Sequence, residues 1–272
     1  MTTAASTSRA SLERAIELAE SLSEIRVQVR EATPSTSAHT LTLVAVSKYK
    51  PASDIWACYE TGQRDFGENY VQELVEKAAE LPTDIRWHFI GALQSNKAKI
   101  LASIPNIYSI QTVSSTKAAT ALQKAVSPDR PNPLNILLQV NTSGEDSKSG
   151  LNSLTSSETA PTAELTLLAL HVLKECPALH LQGLMTIGAL TESLSDDHPN
   201  RDFERLKETR DLLQSALAQA GFAGKWGVEG RLVLSMGMSS DFKAAIAAGS
   251  DIVRVGTGIF GTRAKKVETP TS

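Results

Sequence analysis

Between Leu41 and Val255 eight short apolar runs recur, and seven of them give way to a stretch whose apolar residues recur at helical spacing. The runs fall at 41–47, 64–66, 87–90, 107–110, 134–140, 179–186, 232–234 and 251–255. Helices are expected after Pro51, over 70–80 and 94–102, near 115–126, around 163–174, over 201–220 and over 242–248. Strands alternating with helices imply a parallel sheet, and this many units favour a closed ring over an open doubly wound sheet. The expected fold is therefore α/β, a single (β/α)8 TIM barrel. At 272 residues and 41% hydrophobic, the chain can bury a core of that size. Ahead of the first strand, Leu12, Ile16, Ala19, Leu22, Ile25 and Val29 mark an extra N-terminal helix that should pack outside the barrel. The whole of 1–272 reads as one domain, with 1–8 and 264–272 expected to be disordered tails.

Composition removes several classes of function. A net charge of −3, with scattered Lys and Arg, lacks the clustered basic excess of a nucleic-acid surface. No apolar run approaches the roughly 20 residues needed to span a bilayer, and MTTAASTSRAS has no signal-peptide core. Glu13 and Glu17 follow too soon for a good mitochondrial presequence, so a cytoplasmic location is expected, with a mitochondrial one left open. Cys58 and Cys176 form no CxxC, which points to free thiols in a reducing compartment. His39, His88, His171, His180 and His198 show no metal-ligand spacing. The Ser/Thr-rich stretch from Thr142 to Thr162 reads as a long loop after the fifth strand, ordered at first and mobile over 152–162.

Two distant features carry chemistry. Lys48 closes the run Leu41-Thr-Leu-Val-Ala-Val-Ser-Lys48, and a deprotonated lysine amine forms a Schiff base with an aldehyde. Taken alone, it also fits a polar residue ending a buried strand. Far downstream, Leu232-Val-Leu runs into Ser235-Met-Gly-Met-Ser-Ser-Asp241, and Asp251-Ile-Val-Arg254-Val runs into Gly256-Thr257-Gly258. Ser239, Ser240 and Asp241 are N-cap residue types, and a helix N-terminus with free N–H groups binds phosphate well. Two such turns on the last two strands match the phosphate site of many barrels. An imine-forming amine beside a phosphate cup points to pyridoxal 5′-phosphate (PLP) as cofactor.

The motifs AVSKYKP (45–51), FGENYVQE (66–73), WHFIGALQSNK (87–97), LLQVNTSGEDSKSGL (137–151), GLMTIG (183–188), LSMGMSSDF (234–242) and RVGTGIFGTR (254–263) together resemble the pyridoxal phosphate homeostasis protein family. The departures lie in the N-terminal extension, in 152–162 and after Arg263. The resemblance implies a barrel like the N-terminal domain of bacterial alanine racemase, with PLP held as an internal aldimine on Lys48. It further implies that Ser235, Met236, Gly256 and Thr257 hold the phosphate, that Asn69 and Met185 lie near the cofactor, and that Arg254 faces the pyridine nitrogen. Asn69 also fits a helix cap, Met185 core filler, and His88 a satisfied strand histidine outside the site.

An arginine at the ring nitrogen keeps it unprotonated and weakens the electron sink. In the resembled racemases a second base is a tyrosine from a C-terminal domain. Here the sequence runs nine residues past Arg263, and Tyr49, Tyr59, Tyr70 and Tyr108 all lie in the first half. The expected function is storage, protection or delivery of PLP without turnover, by a monomer whose partners are PLP and PLP-dependent apo-enzymes. An amino-acid racemase and a sugar-phosphate barrel enzyme using Lys48 without a cofactor are the competing readings.

Overall fold

The computed structural model describes residues 9–35, 41–145, 148–189 and 199–262, so the expected tails at 1–8 and 264–272, with His39 and His198, lie outside the described residues. Helix α1 (Leu12–Ala32) leads, capped by Ser11, whose hydroxyl accepts from Arg14 N. Then follow β1 (Thr42–Val46), α2 (Ala52–Glu60), β2 (Asp65–Glu68), α3 (Val71–Glu80), β3 (Arg86–Phe89) and α4 (Ala98–Ala102). The middle holds β4 (Ile107–Val113), α5 (Thr116–Ala125), β5 (Leu134–Asn141), the two-residue β6 (Leu151–Asn152) and α6 (Glu164–Glu175). The last part holds β7 (Leu179–Met185), α7 (Arg201–Leu217), β8 (Val233–Ser235), α8 (Phe242–Ala247), β9 (Ile252–Val255) and α9 (Thr257–Phe260).

Every ladder is parallel, and β1 sits between β2 and β9 while β4 pairs with β5, which closes the sheet. Of the nine strands among the described residues, β6 pairs only with β5 and stands outside the ring; the other eight form the barrel. The expected TIM barrel and extra N-terminal helix are both present. Helix α1 buries Leu18, Leu22 and Ile25, and Arg14 ties it to Asp54 of α2 at 2.7 Å and to the Phe260 carbonyl at 2.9 Å.

Alternation along each strand sorts the side chains into two layers. Phe66, Trp87 and Phe89 face the helices and join the main apolar core. The inner face has a small separate cluster of Val44, Leu137, Met185, Val233 and Ile252, from five strands around the ring. The rest of the interior is polar, which explains why the sequence pattern stops β4 at Ile110 while the strand runs on through Gln111 and Thr112 to Val113. The 201–220 helix is α only to Leu217 and then widens into one π turn ending at Phe222.

The stretch 152–162, expected to be mobile, is anchored instead. Leu154 and Ala160 are buried, Leu154 N donates to Thr209 Oγ1 of α7 at 3.2 Å, and Ala160–Thr162 forms a short 3-10 turn. Leu151 and Leu154 are the apolar residues that the Ser/Thr content concealed. Leu154→Ala should destabilise the chain by about 2–5 kcal/mol in urea unfolding; a change under about 0.5 kcal/mol would mean that the segment is loose.

Candidate functional site

A cavity of about 490 Å³ opens at the C-terminal ends of the strands, and Lys48, Asn69, Met185, Arg254, Gly256 and Thr257 all line it. That volume lies within the usual range for small-molecule sites, roughly 300–1,000 Å³. Lys48 stands two residues beyond β1, partly exposed, and its amine makes no hydrogen bond or ion pair among the described residues. Met185 is fully buried and forms floor, serving both the inner apolar cluster and the cavity. Asn69 follows β2 with its Oδ1 buried and unpartnered. Gly91 makes that position possible, because a Cβ there would lie 1.8 Å from the Asn69 carbonyl oxygen.

The opposite wall is built by two stitched turns. Gly237 takes φ 92°, a backbone conformation that a side chain resists, and turns the chain from β8 towards α8. Asp241 Oδ1 then accepts from Met238 N at 2.6 Å, and Gly256 N donates to Ser239 Oγ at 3.1 Å, joining the two turns. The backbone N–H groups of Ser239, Ser240, Thr257 and Gly258 have no acceptor among the described residues. Ser239, Ser240 and Thr257 line the cavity, at the N-terminal ends of α8 and α9. Such groups hold an anion.

Ser235 and Met236 are not in this wall. Both are fully buried, and β8 ends at Ser235, so the cup begins three residues later than the sequence motif suggested. Ser239 and Ser240, singled out only as cap types, stand in their place. Ser235 instead supports Arg254, whose Nη1 donates to its Oγ at 2.6 Å while Nη2 donates to the Thr186 carbonyl at 2.8 Å. Burial pulls the Arg254 guanidinium down to about 10, with Asp241 acting the other way, so it stays charged at neutral pH.

From Arg254 a chain of hydrogen bonds crosses the barrel. Because a guanidinium only donates, Ser235 Oγ must donate onward to Gln111 Oε1 at 2.7 Å. Gln111 Nε2 then gives to His88 Nδ1 at 3.1 Å, and Ser109 Oγ gives to the same nitrogen at 2.9 Å. That leaves the proton of neutral His88 on Nε2, which donates to Asp65 Oδ1 at 3.0 Å; Arg86 Nε closes the chain on Asp65 at 2.8 Å. His88 is thus a satisfied core histidine. Sequence reasoning missed Gln111, whose bond to Ser235 joins strands that are not neighbours.

A second network holds the Lys48 turn from outside the barrel. Lys77 Nζ donates to Glu68 Oε1 at 2.6 Å and to the Ser47 carbonyl at 2.8 Å, Ser47 Oγ donates to Glu68 Oε1 at 2.6 Å, and Tyr49 N donates to Glu73. Both residues flanking Lys48 are thereby fixed. Burial pushes the Glu68 carboxyl up to about 7, against the pull of Lys77. No group of three or more His, Cys, Asp or Glu among the described residues could hold a metal ion.

The cavity therefore fits a small molecule that brings an aldehyde to the Lys48 amine, a donor to Asn69 and a phosphate to the paired turns. Residues 20–264 match the family model for the alanine racemase N-terminal domain. A pyridoxal phosphate homeostasis protein of Schizosaccharomyces pombe is 43% identical over 88% of this chain and 90% of its own length. The protein of that name in Escherichia coli K12 is 40% identical over 91% and 97%.

The chain belongs to the pyridoxal phosphate homeostasis protein family.

Among solved structures, the homeostasis-family chain is similar to PipY of Synechococcus elongatus, described as having PLP bound, at 31% identity and TM-score 0.67 over 90% of this chain and 100% of that one. Alanine racemase of Streptomyces coelicolor, at 20% identity and TM-score 0.64, covers 92% of this chain with 59% of its own and shows the shared barrel fold.

Glu68 gives a pH signature. Its folded pKa lies above the ordinary 4.5, so the folded chain holds a proton that the unfolded chain has lost, and stability falls as pH rises from about 4.5 to 7. The contribution to the slope is at most about 1.4 kcal/mol per pH unit. Glu68→Gln should flatten the difference in that window, measured by urea unfolding at several pH values; an unchanged slope would place the proton elsewhere.

Proposed function

We propose that this chain binds PLP covalently through Lys48 and stores, protects or delivers it without turnover. The observation that carries the reading is that a partnerless amine and unengaged backbone donors line one cavity. When bound, PLP supplies an aldehyde that condenses with amines and a ring that withdraws electrons. The residues of the chain do the rest: the Ser239–Ser240 and Gly256–Thr257 turns hold the phosphate, Asn69 accepts from the ring substituent, and Arg254 faces the ring nitrogen as a donor. Because Arg254 stays charged, it presents an N–H to that nitrogen, which weakens electron withdrawal.

A carrier rather than a racemase is supported by what lines the cavity. Among the described residues, its titratable groups are Lys48 and Arg254. Tyr49 and Tyr70 hydrogen-bond to each other through their hydroxyls, Tyr59 donates to Asp84 at 2.8 Å, and Tyr108 lies at the other end of the barrel. None offers a base to a second face of a bound molecule. Both thiols are buried, and Cys58 is pushed up to about 12, which makes it a poor nucleophile and suits the cytoplasm. The acting form is a monomer, and PLP-dependent apo-enzymes are the recipients.

Two measurements test this. PLP should bind at least about tenfold more tightly than pyridoxal, since one charge-assisted hydrogen bond contributes about 1.5–3 kcal/mol; equal affinities would remove the phosphate cup. With alanine added, the loaded protein should show no D-alanine and should restore an apo-enzyme. D-alanine formed at about 1 per second or faster, and lost in Lys48→Ala, would make it a racemase.

A further inference from the structure

The opposite end of the barrel holds polar groups that the Lys48 site does not use. A cavity of about 310 Å³ opens at the N-terminal ends of the strands, and its walls include His88, Tyr108, Gln182, Glu229 and Arg231. In barrels of this kind that end serves stability, so unsatisfied polar groups there call for a cause.

Two β-bulges aim side chains at this cavity. Trp87 and His88 pair with Ile107 and Ser109, which leaves Tyr108 as the extra residue of β4. Ile136 and Leu137 pair with Leu181 and Gly183, which leaves Gln182 as the extra residue of β7. A bulge re-aims a side chain at the cost of regular pairing. Gln182 is only 8% exposed, yet its Oε1 has no partner among the described residues. Arg231 clamps Asp251 through both Nη atoms while its Nε has none. Glu229, on the same wall, takes φ 53°, a left-handed conformation that costs a non-glycine residue free energy.

The chemistry of these groups selects a ligand. Arg231 is already neutralised by Asp251 and Glu229 adds a negative charge, so an anion gains little here. The Gln182 amide offers an acceptor and donors side by side, and Arg231 Nε adds one donor. The ring of Tyr108, tilted against His88 at 5.2 Å, supplies a flat wall. We propose that the foot of the barrel is a second binding site, for a small, flat, uncharged heterocycle with an amide-type edge. Its polar edge would meet the Gln182 amide and the Arg231 guanidinium on the cavity wall. The inference does not depend on what binds at Lys48.

The test is calorimetric titration of the full chain with uracil, nicotinamide and hypoxanthine, with inorganic phosphate as competitor. At least one heterocycle should bind with a Kd of about 1 mM or tighter. Gln182→Met, which keeps the volume and removes the amide, should weaken it at least tenfold. Tyr108→Leu should weaken it too, and supplies the reading should Gln182→Met fail to fold. No binding by any of the three, affinity unchanged in a folded variant, or displacement by phosphate would overturn the proposal.

Discussion

Burying a guanidinium inside a closed barrel costs several kcal/mol unless its donors find acceptors, and the interior here is arranged around meeting that demand. Arg254 is 4% exposed, and its two recorded bonds go to Ser235 Oγ and the Thr186 carbonyl. Ser235 accepts from Arg254 and donates its own O–H to Gln111 Oε1, and the chain of hydrogen bonds continues through His88 to Asp65. The polar inner layer is thus linked to the one buried charge by a continuous chain of hydrogen bonds. It fixes the His88 tautomer and holds Arg254 at the cavity wall without a carboxylate bonded to it.

Lys48 is held by different means. It extends from β1 into the cavity, while its neighbours in sequence are tied on the outer side: Ser47 to Glu68 and Lys77, Tyr49 N to Glu73. The amine stays without a partner among the described residues while the backbone beneath it is fixed at both sides. A reactive group that is rigidly mounted and chemically unengaged suits reversible capture of an aldehyde.

Much of this was legible in the sequence, for local reasons. The period of the apolar residues revealed the eight barrel strands, and Lys48 stood out because a strand tip places its residue at the barrel mouth. The cavity wall takes in Met238, Ser239 and Ser240 where the motif pointed to Ser235 and Met236. The motif gives the run from Ser235 to Asp241, but where β8 stops depends on Gly237 and on pairing with β9. Gln111 and the bulged residues Tyr108 and Gln182 left no local signal, because their roles arise only when distant strands close the ring. The Leu154 anchor was hidden by its polar neighbours.

The central claim is that Lys48, and not a nearby amine, captures the cofactor. Lys50 is the sharpest rival: it lies two residues on and burial lowers its pKa, which favours nucleophilicity, yet its Nζ donates to the Phe260 carbonyl at 2.8 Å and it does not line the cavity. Borohydride reduction of the PLP-loaded chain, followed by peptide mapping, decides between them. The account predicts the reduced cofactor on Lys48; recovery of the label on Lys50 would contradict it.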